Sequence, residues 1–175
     1  MNFRQPPTDI MAKVRTDQPI LPSLLDRLID DDPKKTLEVV KPAITLLNEV
    51  KAGIRRDLEN LLNTRLFRQA SIEKYDQLDN SILNYGLRDF STLQFSSEEH
   101  RERFKDEIIS TIERYESRFH WVKVEIDQLG EDHDRTLYLK INALLNVEPD
   151  PIPLLFDSRI QALDRAVKLR ELRHG

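Results

Sequence analysis

The stretch Ile112–Ile126, IERYESRFHWVKVEI, decides how the chain folds because its apolar spacing changes halfway along. Before the change, apolar residues recur every three or four positions, which places them on one face of a helix. From Val122 onward, apolar and polar residues alternate, as they do in a half-buried strand. Glu116, Ser117 and Arg118 lie between the two patterns. The stretch therefore predicts a helix that turns a corner into a strand, with a carboxylate and a guanidinium at the corner.

Three helices are predicted before this corner. A short amphipathic helix lies within LPSLLDRLID, residues 21–30. The first long helix has Pro42 in its first turn, where the missing N–H is harmless, and ends near Asn63–Arg65. The second long helix begins at Ser96, which fits a capping box with Glu99. The apolar faces of the three helices consist of Leu24, Leu25, Leu28 and Ile29; of Ile44, Leu47, Val50, Ile54, Leu58, Leu61 and Leu62; and of Phe104, Ile108, Ile112, Tyr115 and Phe119.

Alternation after the corner predicts a β-hairpin with one buried face. Its first strand carries apolar residues at every second position around Val124, and its second strand does so around Leu139. LGEDHD, residues 129–134, lies between the strands and forms the turn.

Three prolines at alternate positions follow the hairpin, at 149, 151 and 153. N–H groups of alternate residues in an extended chain point the same way, so one side of this segment has no donors. Ile152 and Leu154 keep their donors on the other side. A segment of this kind is expected at the edge of a sheet. The tail after it, DSRIQALDRAVKLRELRHG, fits either a helix or two strands.

Size and composition limit the classes of protein to consider. With 175 residues we expect one domain, 21–175, preceded by an extended arm, 1–20, that is rich in proline. A net charge of −4 with scattered Lys and Arg argues against nucleic-acid binding. The chain has no Cys, its start lacks the apolar core of a secretory signal, and no stretch is apolar enough to insert in a membrane. We therefore expect a soluble, cytoplasmic protein.

Motifs for catalysis, metals and cofactors are weak in this sequence. The four histidines lack metal-ligand spacing, and no Gly-rich nucleotide-binding loop or serine nucleophile elbow occurs, so we expect no metal and no cofactor. Glu116 is the best candidate for a general acid because it lies at an element junction beside aromatic residues. The simpler interpretation is that Glu116 and Arg118 form a structural ion pair or a helix cap. An exposed strand edge instead favours a protein-binding module.

Four stretches in series resemble a known family. They are LLDRLIDDDP (24–33), IRRDLENLLNTR (54–65), SILNYGLRDF (81–90) and IERYESRFHWVKVEI (112–126). They are similar, in this order, to stretches of the TssE family of type VI secretion baseplate proteins. That family is related to the small baseplate wedge protein of contractile phage tails, which is sometimes labelled lysozyme-like. The resemblance covers about residues 21–160.

The resemblance implies an α+β fold, in which two long amphipathic helices pack on a small antiparallel sheet formed by the hairpin and C-terminal strands. It favours LLFDSRI (154–160) and AVKLREL (166–172) as those strands. The family carries a Glu-Pro-Arg signature between the second long helix and the hairpin. Glu116, Ser117 and Arg118 match it here, with Ser in place of Pro. The change restores a backbone donor and loosens φ at the corner.

The resemblance also implies a structural, non-enzymatic role in baseplate assembly. The expected partners are TssF-, TssG- and TssK-like wedge proteins, which the corner would contact, and TssB/TssC-like sheath subunits. The sheet would offer a first template for sheath polymerisation, with Ile152, Leu154 and Phe156 at the contact. Charge reversal at Arg118 is then expected to abolish wedge incorporation and leave the monomer folded. The alternatives are a peptidoglycan-cleaving, lysozyme-like hydrolase that uses Glu116, and an adaptor outside any secretion machine.

Overall fold

A computed structural model describes residues 22–29, 34, 41–66, 81–89, 97–128, 136–147, 150–161 and 166–172. Helices come first along the chain and strands follow. The helices are α1 (Leu24–Leu28), α2 (Ala43–Asn63) and α3 (Glu98–Tyr115), with a 3₁₀ helix at Ile82–Asn84 between α2 and α3. The strands are β1 (Phe119–Gln128), β2 (Thr136–Leu145), β3 (Ile152–Gln161) and β4 (Leu169–Glu171). The predicted α+β fold with two long helices and a small antiparallel sheet is confirmed.

Helix α2 follows the predicted apolar spacing along most of its length. It begins after Pro42, which is its N-cap, and ends at Asn63, as the sequence predicts. Ile44 departs from the prediction because its side chain is 57% exposed, so the buried face begins one turn later. The buried positions are Leu47, Val50, Gly53, Ile54, Leu58, Leu61 and Leu62.

Helix α3 also has the predicted apolar face, but its first residue differs from the prediction. Its N-cap is Ser97, whose side chain makes no capping hydrogen bond, and the predicted cap residue Ser96 lies outside the described residues. Phe104, Ile108 and Ile112 are buried against the core. The helix ends at Tyr115, so the predicted corner follows directly.

The four strands form one antiparallel sheet in the order β1-β2-β3-β4. The hairpin pairs β1 with β2, with Val124 opposite Ile141, and an irregularity between Phe119 and Trp121. Strand β3 pairs with β2 along its whole length, with Phe156 opposite Ile141. The two C-terminal strands favoured by the resemblance are therefore both present, although β4 is only three residues long.

The main-chain nitrogen of Pro153, the one proline within β3, points away from β2. The Leu172 N–H donates to the Leu155 carbonyl, so odd-numbered residues of β3 direct their main-chain groups toward β4 and even-numbered ones toward β2. The donors of Ile152 and Leu154 therefore point to β2, opposite Leu145 and Ala143, and are not free as the sequence suggested.

One hydrophobic core lies between the helices and the sheet. Buried residues of α2, α3 and all four strands form a single cluster. Leu87 joins it from the segment 81–89, which is attached to the end of α2 by two backbone hydrogen bonds between Thr64–Leu66 and Leu87. Gly86 makes this attachment possible, because its φ is 110° and a Cβ there would lie 2.3 Å from the Thr64 carbonyl oxygen.

Three of the four apolar residues predicted for one side of the short helix are exposed to solvent in α1 and at its C-cap. Leu25, Leu28 and Ile29 are 63%, 81% and 54% exposed. An ion pair between Arg56 and Asp26, with Nη2 and Oδ1 2.8 Å apart, attaches α1 to α2. Gly53 of α2 lets the two helices approach, since a Cβ at this position would lie 2.9 Å from the Oδ2 atom of Asp26.

Candidate functional site

The corner between α3 and β1 is built by main-chain hydrogen bonds of Glu116. The Glu116 N–H donates to the Ile112 carbonyl at 2.8 Å, which completes the last turn of α3. The next two residues form a turn, and the Phe119 N–H donates to the Glu116 carbonyl at 3.4 Å. Ser117, at the tip of the turn, is exposed. The predicted change from helix to strand thus occurs within three residues.

Glu116 and Arg118 form a bidentate ion pair inside this corner. Arg118 Nε donates to Glu116 Oε1 at 2.6 Å, and Arg118 Nη2 donates to Oε2 at 2.5 Å. The Arg118 backbone N–H donates to Oε1 as well, at 3.2 Å. The Glu116 side chain is only 7% exposed and that of Arg118 is 28% exposed. The pair therefore fixes the turn from the inside and presents part of the guanidinium to solvent.

The ion pair continues through α2 to α1. Arg118 Nη2 donates to Asp57 Oδ2 at 2.7 Å, and Arg56 Nη2 donates to Asp57 Oδ1 at 3.2 Å and to Asp26 Oδ1 at 2.8 Å. Carboxylates and guanidiniums thus alternate from Glu116 to Asp26. We call these five residues the ion-pair chain. It connects α1, α2 and the α3–β1 corner, which are far apart in the sequence.

The ion pairs shift the pKa values of Asp26, Arg56 and Arg118. The hydrogen bonds with Glu116 raise the pKa of Arg118 well above its ordinary value, against the effect of burial. The hydrogen bond from Arg56 lowers the pKa of Asp26, and one from Ser23 Oγ at 2.8 Å adds to this. Both shifts favour the charged forms of Arg118 and Asp26.

Two tyrosines support the corner on the side of the 3₁₀ helix. The rings of Tyr85 and Tyr115 meet edge to face, with centroids 5.2 Å apart. Tyr115 Oη donates to the Ser81 carbonyl at 2.9 Å. Burial, with the negative charges of Asp57 and Glu116, raises the pKa of Tyr85. Segment 81–89 is thereby held against the corner, with the exposed side chains of the 3₁₀ helix beside it.

The geometry does not give Glu116 the position of a general acid. Both of its carboxylate oxygens accept hydrogen bonds from Arg118, so neither is directed at a substrate.

In the described ranges, no group of three or more His, Asp or Glu side chains is placed to hold a metal ion. Among the helices that the structure describes, none combines the length and apolar character needed to cross a membrane.

The predicted partner-binding residues lie in two different settings. Glu116, Ser117 and Arg118 are together at the corner, with Ser117 exposed. The side chains of Ile152, Leu154 and Phe156 are 4%, 3% and 0% exposed and belong to the hydrophobic core. These three side chains are therefore not available to another protein at the surface.

Three members of the ion-pair chain were not predicted from the sequence: Asp57, Arg56 and Asp26. Asp57 is 61 residues from Arg118 along the chain, so no local spacing could pair them. A weak signal existed, because all three residues lie in two of the four stretches that carry the family resemblance. Charged residues in such stretches are candidates for a shared site.

The comparison with known families agrees with this architecture. The family model of the baseplate wedge protein gp25 matches residues 48–150, which is more than half of the chain. The matched part begins within α2, ends at Asp150, two residues before the start of β3, and includes the whole α3–β1 corner. The chain therefore belongs to the gp25 family of baseplate wedge proteins, and the resemblance to TssE-like wedge proteins is confirmed at this level.

No curated protein and no solved structure matches the chain. The family is one of structural baseplate proteins, which agrees with the expectation of a non-enzymatic role. Its members work in contact with other baseplate components. The matched range ends at Asp150, so Ile152, Leu154 and Phe156 lie outside it.

Proposed function

We propose that this chain is a structural component of the baseplate of a type VI secretion system, acting in the cytoplasm. The gp25 family match over residues 48–150 carries the proposal. The four stretches that resemble TssE proteins support the secretion system over a phage tail. We assign the baseplate role to a domain at 21–175, and 1–20 to an extended arm.

The α3–β1 corner is the surface that we propose for the neighbouring wedge proteins, of the TssF, TssG and TssK kinds. Ser117 is exposed at its tip, and Arg118 keeps 28% of its side chain in contact with solvent. The ion-pair chain holds both residues in one geometry before binding. A pre-organised charged surface binds with a smaller loss of conformational entropy.

The structure makes Arg118 a poor site for testing this contact. Charge reversal there would place a third carboxylate against Glu116 and Asp57, and Glu116 is almost completely buried. A buried charge that loses its partner destabilises a fold strongly. We therefore no longer expect the Arg118→Glu monomer to remain folded, and loss of assembly in that variant would not identify a contact.

Ser117 offers the sharper test. Ser117→Tyr adds a bulky side chain at the exposed tip, and Ser117→Ala is the matched control that adds none. We expect Ser117→Tyr to lower the recovery of TssF- and TssG-like subunits from native lysate by about tenfold, the effect of roughly 1.4 kcal/mol of binding free energy. Both variants should keep the wild-type unfolding midpoint. Equal recovery with Tyr and Ala would place the wedge contact elsewhere.

The second part of the proposal concerns the sheath. We propose that the sheet offers its edge to TssB/TssC-like sheath subunits and so templates their polymerisation. The sheet is antiparallel, and its last two strands, β3 and β4, follow the residues that the family model matches. An unpaired edge is a template for a strand from another chain.

A further inference from the structure

The face of the sheet that points away from the helices, which we call the outer face, is not wholly polar. Successive side chains of a strand alternate between the two faces of a sheet. The core buries even-numbered residues of β1, odd-numbered residues of β2 and even-numbered residues of β3, so the other residues lie on the outer face. At its end next to the α3–β1 corner, the outer face carries five apolar residues, four of them half-buried and the last 41% exposed: Trp121, Leu144, Pro153, Leu155 and Leu172.

A row of alternating charge crosses the outer face beside these apolar residues. In the order of the strands, the row consists of Glu125, Lys140, Asp157 and Arg170. Its signs are therefore negative, positive, negative and positive. Glu125 already has a partner on its own strand, Lys123, at 2.7 Å. Among the residues that the structure describes, no ion pair involves the other three members of the row.

Asp157 has the least satisfied side chain of this row. Its Oδ1 atom is buried and has no hydrogen-bond partner in the described part of the chain. A buried acceptor without a partner destabilises a fold, and a charged donor makes the strongest hydrogen bonds to a carboxylate. The outer face would therefore be stabilised by a molecule that brings a cation to Asp157 and covers the apolar end.

The row of charges is complementary to the same row in a second copy of the chain. Two copies packed face to face are related by a two-fold axis in the plane between the sheets. An axis along the row would set each charge against the same charge, which is repulsive. An axis along the strands, between β2 and β3, reverses the row instead. Lys140 of each copy then meets Asp157 of the other.

The same axis brings the apolar ends of the two outer faces together. It leaves positions along the strands unchanged, so Leu144 of each copy faces Pro153 of the other. Packed sheets lie about 10 Å apart, with strand directions within about 30° of each other. Lys140 and Asp157 lie on the two strands nearest the axis, so such a rotation displaces their contact least.

The β4 edge of the sheet offers a second copy no place to add a strand. The Val167 N–H donates to Asn63 Oδ1 at 2.7 Å, and Asn63 Nδ2 donates to the Val167 carbonyl at 2.9 Å. The Leu169 N–H donates to Glu59 Oε1 at 2.8 Å. Two side chains of α2 thus occupy main-chain groups on the side of β4 away from β3. Two copies cannot associate through this edge, which leaves the outer face as the complementary surface.

We infer that the outer face of the sheet is a homodimer interface, in which a second copy packs face to face about a two-fold axis along the strands. The two symmetric contacts between Lys140 and Asp157 set the register, and the apolar end supplies the buried surface. The inference goes beyond the proposed baseplate role and does not depend on it, because the partner is a second copy of the chain itself.

Reversal of either central charge tests the inference. Lys140→Glu and Asp157→Lys each make both contacts at the axis like-charged, so we expect the dissociation constant of the dimer to rise about a hundredfold, or about tenfold for each contact. Sedimentation equilibrium of the full chain over a concentration series measures this constant, with the dimer at twice the 20.6 kDa of one chain. Arg103→Glu makes the same change of net charge on the exposed side of α3 and should dimerise like the wild type.

A mixture of the two reversed variants gives the sharpest measurement. The Lys140→Glu chain has carboxylates at both central positions, and the Asp157→Lys chain has amines at both. Every central contact of a mixed dimer is therefore attractive. We expect each variant alone to be monomeric at concentrations where the wild type is dimeric, and an equimolar mixture to form a dimer with one chain of each kind. Recovery in the mixture would also show that both variants fold.

The contrary outcomes are equally definite. A wild-type chain that stays monomeric throughout the series would overturn the inference, and so would two folded variants whose mixture stays monomeric. A dimer that persists unchanged in both variants would place the contact on another surface, such as the β1 edge, and would also overturn it. If circular dichroism shows that a reversed variant does not fold, Asp157→Asn, which keeps the shape of the side chain, takes its place. An unchanged dissociation constant in Asp157→Asn would overturn the inference, since we expect a rise of about tenfold.

Discussion

At the scale of single residues, Glu116 and Arg118 contribute unequally to stability. Arg118→Ala removes the partner of the Glu116 carboxylate, which is only 7% exposed. Glu116→Ala leaves the Arg118 guanidinium, which is 28% exposed and still bound to Asp57. We expect Arg118→Ala to lower the free energy of unfolding by about 3 kcal/mol and Glu116→Ala by about 1.5 kcal/mol, as measured by urea denaturation. Arg118→Lys should fall between wild type and Ala, because Lys keeps the charge and loses the bidentate fork. A larger loss for Glu116→Ala would contradict this order.

Asp26 makes the docking of α1 dependent on pH. The hydrogen bond from Arg56 lowers the pKa of Asp26 in the folded protein. Such a group contributes stability that is complete above its unfolded pKa of about 3.9 and is lost as the pH falls through the lower, folded value. We expect Asp26→Asn to cost about 0.5 kcal/mol at pH 7, since the partner is a partly exposed arginine. The difference between the two proteins should shrink as the pH falls below about 3.9 in urea titrations, and a constant difference would show that the charge is not involved.

Local pattern predicted the corner residues but not their partners. The change from helical to alternating spacing placed Glu116, Ser117 and Arg118 at a turn, and the structure has them there. The contacts with Asp57 and the link to Asp26 depend on how helices distant in sequence pack together. A single sequence carries no direct signal of such packing.

At the scale of elements, the side chain of Asn63 takes the place of a neighbouring strand beside the segment that leads into β4. It exchanges two hydrogen bonds with the main chain of Val167, a residue that is 1% exposed. Asn63→Ala leaves a buried donor and a buried acceptor unpaired, so we expect a loss of about 2–3 kcal/mol in unfolding free energy. Amide exchange at Val167 and Leu169 should accelerate more than exchange in β2.

Asn63→Asp is the matched variant for this prediction. It keeps an acceptor for the Val167 N–H and loses the donor to the Val167 carbonyl, so its stability should lie between those of wild type and Asn63→Ala. Equal stability of Ala and wild type would mean that β4 is held by its packing and its ladder to β3 alone.

Elements with strong periodicity were predictable, and those set by tertiary contacts were not. The long helices and the hairpin have buried faces that largely match their own spacing, which is why their positions along the chain agree with the sequence. The prolines before and within β3 suggested an edge strand. They instead lie where β4 is too short to cover β3, so an internal strand tolerates them. Helix α1 is too short for its spacing to decide which face is buried.

At the scale of the whole molecule, we expect the described helices and sheet to unfold together. Buried residues from α2, α3 and the four strands belong to one cluster, and no helix has a core of its own. Trp121 on β1 is the only tryptophan of the chain, so its fluorescence reports on the sheet, while circular dichroism at 222 nm, a standard helix wavelength, reports on the helices. The two probes should give the same urea midpoint. A helix signal lost at lower urea than the fluorescence change would indicate separate units.

Closure of the sheet at β4 has a consequence for stoichiometry. A subunit inside a continuous row of paired strands needs an unpaired edge on both sides of its sheet. Glu59 and Asn63 occupy main-chain groups at the β4 edge, so this sheet has at most one unpaired edge. It can therefore begin a row but cannot be inserted into one.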